Sequence, residues 1–209
     1  MKYLKQNGYT LAELLIYIFL VGVVSSVLYK IFITNSQVQL HQEEIVNLFQ
    51  ELRGTMGIMT REIRMAGFTG NDGDPGSIGF QLDNNPDYNS DNDSIHFTMD
   101  LTNDANTGEP DGDTQDPDED IIYYLAGTTL IRRNGFTGEE NVMAENISSL
   151  SFVYYDETNT VMTHPLVLNN IRSVEISIEG QTSRASYLTK EKASRSLTSR
   201  VQIRNAGLN

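Results

Sequence analysis

The stretch YTLAELLIYIFLVGVVSSVLY, residues 9–29, decides the architecture. Its only charge is Glu13, and from Leu14 to Tyr29 there is none. A membrane-spanning helix needs about 20 mainly apolar residues, so the length suffices. Lys2 and Lys5 precede the run and Lys30 follows it, a bias that predicts a cytoplasmic N-terminus with the rest of the chain outside. A secretory signal peptide has a shorter apolar core ending at a small-x-small site. Here the core is longer and Ser25-Ser26 matches such a site poorly. A simple signal anchor leaves Glu13 unexplained. A carboxylate inside a bilayer is costly unless paired or protonated, which makes Glu13 a candidate functional residue.

Outside this run the charge is uneven. The chain has 209 residues, 28 acidic and 15 basic, for a net charge of −13. Between Arg64 and Arg132 there is no Lys or Arg, yet 15 of the 28 acids lie there, so the remainder is close to neutral. This distribution argues against a nucleic-acid partner, since phosphate contacts need clustered Lys and Arg. The chain has no Cys, which excludes disulfides, thiolate metal sites and a Cys nucleophile. Its three histidines, His41, His96 and His164, are too far apart for an HExxH zinc site.

The residues around Glu13 then carry a resemblance. Lys2 and Lys5, Gly8, and Tyr9-Thr10-Leu11-Ala12-Glu13-Leu14-Leu15-Ile16 resemble the class III signal of type IV prepilins and type II secretion pseudopilins. The resemblance implies a leader of residues 1–8, cut after Gly8 by a prepilin peptidase, and N-methylation of Tyr9. It makes Glu13 the acidic fifth residue of the mature chain, with a role in subunit assembly. Tyr9 stands where Phe is usual in that family. The ammonium freed at Tyr9 of one subunit would then sit near Glu13 of a neighbour, two costly charges compensating each other in an apolar core.

Beyond Lys30 the chain turns polar without a Pro until Pro75. Ile45, Phe49, Leu52, Met56, Met59 and Ile63 are spaced 4, 3, 4, 3, 4 and joined by Leu48, one face of a helix laid on a head. Gly67 is the expected stop. A helix from Tyr9 to Met65 would be about 85 Å long. The expected units are a leader, 1–8; a transmembrane and filament-core helix, 9–30; an amphipathic half, 31–66; and a β-rich head, 67–209. Strands are expected at Ser94–Met99, Asp120–Ala126, Thr128–Arg133, Leu150–Tyr155, Ile171–Glu179 and Leu197–Arg204, the second and third forming a tight hairpin at Gly127. The fold class is α+β, a long helix packed on one antiparallel sheet.

Several patches of the head extend the resemblance. REIRMAGF (61–68), YYLAGTTLIRRNG (123–135), ENISSLSFVYYD (145–156) and LTSRVQIRN (197–205) look like parts of PilW-like minor pilins. They also look like the J-type minor pseudopilins of type II secretion. Many major pilins close a C-terminal loop with a disulfide, so the missing Cys favours a minor subunit. The tip pseudopilin of the K type lacks the fifth-residue Glu, so Glu13 argues against the extreme tip. The resemblance implies a structural, non-enzymatic subunit whose partners are other pilin subunits, prepilin peptidase and the inner membrane. Its final place is a filament at the cell surface or in the periplasm. The alternatives are an uncleaved, membrane-anchored extracytoplasmic binding module and an anchored hydrolase.

The acidic insert, about 71–120, has two readings. One is a solvated or disordered loop of mutually repelling charges. The other is a structural Ca²⁺ site. Asp111, Asp113, Asp116, Asp118 and Asp120 offer carboxylates within ten residues, and Ca²⁺ takes six to eight oxygen ligands. The EF-hand spacing is absent.

Overall fold

The computed structural model describes residues 10–69, 78–82, 90–103 and 109–205. One helix, α1, runs from Leu11 to Met65, 55 residues or about 82 Å. It stops where expected. Ala66 leaves helical geometry, and Gly67 takes a φ of +74°, a conformation that disfavours a side chain. The Gly67 amide then donates to the Thr98 carbonyl at 3.0 Å, which joins the helix end to the head.

Among the described residues seven strands follow: β1 Ile95–Thr98, β2 Asp120–Ala126, β3 Thr129–Asn134, β4 Glu140–Ala144, β5 Ile147–Tyr155, β6 Ser173–Ala185 and β7 Lys192–Gln202. They form two antiparallel sheets, β1-β2-β3-β4 and β5-β6-β7, where the sequence suggests one. The chain changes sheet at Asn146, whose φ is +57°, and the Ile147 amide is held by the Thr128 carbonyl at 2.9 Å. β4 has no sequence signal because Glu140, Asn141 and Val142 are all exposed, so no alternation marks it. β6 and β7 extend beyond the apolar alternation that announced them. Their outer halves, Ser183–Ala185 and Lys192–Ser196, form a hairpin with little core of its own.

The core lies between α1 and both sheets. Leu48, Leu52, Met56, Met59 and Ile63 are buried against Ile147, Phe152, Val174, Ile176, Ile178 and Val201, with Ile95, Phe97 and Tyr123 completing the cluster. The helix seam sits slightly to one side of the expected stripe. Ile45 and Phe49 are half-buried, whereas Thr55 is buried and donates to the Met143 carbonyl at 3.0 Å. A small polar residue fits there because β4 passes close and Met143 sits at the register shift between β3 and β4.

Gly180 in β6 sets how closely the helix approaches. A Cβ there would stand 2.8 Å from Leu48 Cδ1 and 3.4 Å from Leu52 Cδ2. Gly180→Val is therefore expected to cost about 1–3 kcal/mol through overpacking. Gly180→Ala should be near neutral, because the Leu48 end swings aside and the strand gains from losing a glycine. Thermal melts of the full chain in detergent check this. A Val variant that melts with the wild type would show that the contact is not limiting.

Candidate functional site

The first turn of α1 carries Glu13. Thr10-x-x-Glu13 forms a capping box. The Glu13 amide donates to Thr10 Oγ1 at 3.3 Å, and Glu13 Oε2 accepts from the Thr10 amide at 2.8 Å and from its hydroxyl at 3.0 Å. These bonds satisfy two amides that every helix start leaves open. Glu13 therefore starts the helix as well as marking it. Gly8 and Tyr9, expected to flank the cleaved bond, lie outside the described residues.

From Leu11 to Ile33 the helix side chains are exposed, and none of its most apolar window is buried within the chain. Large apolar side chains cover this length on all sides. That is the pattern of a helix meant for lipid or for other helices, not for its own head.

Two family models match. The prokaryotic N-terminal methylation motif covers residues 3–29, the leader end, Glu13 and the apolar run. The model described as prepilin peptidase-dependent protein B covers residues 41–203, most of the amphipathic helix and nearly the whole head. The chain belongs to the prepilin peptidase-dependent protein B family. It is a pilin- or pseudopilin-like protein processed by prepilin peptidase, and the families it matches are pilin-type structural ones. No curated protein matches it.

In this family member the acidic residues divide into separate environments. Asp111, Asp113 and Asp116 each bring a carboxylate oxygen within 4.8 Å of the others. Asp118 instead pairs with Arg132, Nη2 to Oδ1 2.8 Å, and Asp120 lies 2.7 Å from His96 Nε2. Three of the five anticipated carboxylates thus converge and two serve the β-sheet. Backbone amides organise the loop: Asp111 and Gly112 donate to the buried Asp100 at 3.2 and 3.1 Å.

Glu119 had no prior signal as a site residue. It is fully buried, and its Oε1 accepts from the Leu101 and Thr102 amides at 2.6 and 2.7 Å. Its Oε2 is buried without a hydrogen-bond partner. Burial pushes the Glu119 carboxyl above its usual range despite those two amides, and the charges of Asp116 and Asp100 push it further.

A second polar group pins the helix to the head, and the residues alone did not announce it. Arg132 Nε donates to Glu62 Oε2 at 3.1 Å, and the Tyr123 hydroxyl makes a short bond to the same carboxylate. Burial first, and the Glu62 charge second, push the Tyr123 phenol far above its usual value, so it remains a donor. Burial alone would lower the Arg132 guanidinium, but the bonds to Glu62 and Asp118 reverse this and raise it.

Proposed function

We propose that this chain is a minor pilin or pseudopilin that enters the inner membrane with its head outside, loses residues 1–8, is N-methylated at Tyr9 and joins a filament. A type IV pilus and a type II secretion pseudopilus are the two candidate machines. The exposed apolar helix with one carboxylate in its first turn supports this reading most directly. Residues 11–33 of the helix have no partner among the described residues, and a single fixed charge gives register to an otherwise uniform apolar rod. The absence of Cys and the presence of Glu13 favour a minor position near the initiating end over the major fibre or its extreme tip. Intact-mass analysis in a host with prepilin peptidase is expected to read a chain starting at Tyr9 and carrying one methyl group. Retention of residues 1–8 in such a host would overturn the reading in favour of an uncleaved anchored binding module.

We further propose a structural Ca²⁺ at Asp111, Asp113 and Asp116. Two observations favour it: the three carboxylates converge, and the neighbouring Glu119 keeps a buried oxygen without a hydrogen bond. Three carboxylates form a partial donor set for an ion that takes six to eight oxygens. Binding would stabilise the chain by about 2.7 kcal/mol at a hundredfold excess over Kd. The pH dependence has a definite sign. The raised Glu119 contributes stability below the ordinary carboxylate range, and that contribution is lost as the pH rises through its folded value. Ca²⁺ needs ionised ligands, so its gain belongs on the neutral side and vanishes in acid. Melts at pH 7 in Ca²⁺, Mg²⁺ and EDTA check this, with Mg²⁺ expected to do much less. Equal melting points in Ca²⁺ and EDTA would leave the loop as a solvated acidic turn.

A further inference from the structure

The β6–β7 hairpin ends in an exposed tip that the filament reading leaves without a role. Its course along α1 is fixed at three heights. The Arg204 amide reaches the Arg64 carbonyl, Gly180 faces Leu48, and Glu44 accepts from the Ser183 and Arg184 amides. The hairpin therefore runs down the helix toward its apolar half. Beyond Arg184 it reaches the level of Gln37 and Leu40, where Tyr187 and Lys190 line a groove of about 530 Å³ with them. Gln37 is seven residues past Lys30, where the expected span ends, or about 10 Å along the axis. The headgroup layer on each side of a bilayer is about 5–8 Å deep. With the hydrocarbon boundary at Lys30, the tip lies a few ångströms outside that layer, within reach of a Tyr or Lys side chain.

The tip's chemistry suits that depth. Tyr187 is 48% exposed and Leu188 63%. Tyr is a residue of the membrane interface, and Leu inserts below it. Arg184, Lys190 and Lys192 surround them; Glu191 is the one acid within the hairpin tip, and Glu43 and Glu44 of α1 line the groove behind it, on the helix side. None of the three cations is in an ion pair among the described residues. Lys190 Nζ stands 4.4 Å from the centre of the Tyr187 ring, which holds the two together at the turn.

We propose that the tip, Tyr187–Lys192 with Arg184, docks on the surface of an anionic phospholipid bilayer while the subunit is still in the membrane. Leu188 and the Tyr187 ring enter the headgroup layer, and the three cations meet lipid phosphates. This contact fixes the tilt and rotation of the head before filament entry and is broken when the subunit is drawn out. The inference rests on residues 9–30 crossing the membrane.

The chain has no Cys, so single spin labels report one place each. Full-length protein carrying Leu188→Cys, Val24→Cys or Phe136→Cys is reconstituted in neutral phosphatidylcholine and in bilayers containing phosphatidylglycerol. Accessibility to a water-soluble relaxant is then measured. The Leu188 label is expected to be protected severalfold in anionic bilayers, with the exposed Phe136 label unchanged. Lys190→Gln and Lys192→Gln should each weaken that protection about fivefold, the worth of one basic residue at an anionic surface. A Leu188 label as accessible as that at Phe136, with Val24 in lipid, would overturn the proposal. So would protection that persists in neutral lipid and grows with protein density, because a second copy would then cover the tip. A Val24 label in water would instead overturn the membrane reading itself.

Discussion

Glu13→Gln is expected to reach the membrane at the wild-type level and to be nearly absent from filaments. Gln keeps an oxygen that accepts from the Thr10 amide, so the helix start survives. It removes only the charge. The amine freed at Tyr9 of a neighbouring subunit would then lie in an apolar core without its counter-charge. Leaving one member of a buried pair alone costs about 3–5 kcal/mol, or roughly two to nearly four orders of magnitude in incorporation. Glu13→Ala is a less clean test because it also removes the Glu13 half of the capping box, while Thr10 remains the N-cap. Comparing filament and membrane fractions by immunoblot checks both variants. If the Gln variant enters filaments like the wild type, the carboxylate acts as a helix cap and the pairing role is wrong.

Arg132→Met should be the most damaging single change among the charged residues of the head. Arg132 is 9% exposed and holds two carboxylates from different elements, Glu62 on α1 and Asp118 before β2. Met fills much of the volume but, among the described residues, leaves Glu62 with only the Tyr123 hydroxyl to compensate its charge. A fully buried pair loses about 3–5 kcal/mol when one partner is removed. Glu62 retains some solvent contact, so about 2–4 kcal/mol is expected, a fall in Tm on the order of 10 °C. The neighbouring Arg133 provides the control. It pairs with Glu140 at 2.9 Å on the surface, and Arg133→Ala should cost under about 1 kcal/mol. Adding Glu62→Gln to Arg132→Met should recover part of the loss, since no stranded carboxylate remains. Equal melting points for the Arg132 and Arg133 variants would mean that the group does not hold helix and head together.

Much of this molecule was legible in the chain alone because the relevant signals are local. The 21-residue apolar run with one acid, the helix continuing to Met65, the Gly67 stop and the hairpin around Gly127 each depend on residues a few positions apart. Apolar periodicity and turn chemistry record such features directly. Glu13 stood out in the sequence for its charge, but its capping box with Thr10 came only with the coordinates. Other features have no local trace. The split into two sheets follows from the chain crossing over at Asn146, and β4 exists because β3 and the helix offer it partners, not because its own residues alternate. Asp118 and Asp120 looked equivalent to Asp111, Asp113 and Asp116 in the sequence. They part company because Arg132 and His96 approach from β3 and β1. Glu119 carries the same charge as its neighbours and differs only in being buried. Charge and hydropathy belong to a residue, so the sequence determined the anchor, the long helix and the acidic segment. Burial and pairing belong to distant contacts, so only the tertiary structure decided which acids converge, which hold strands and which clamp the helix to the head.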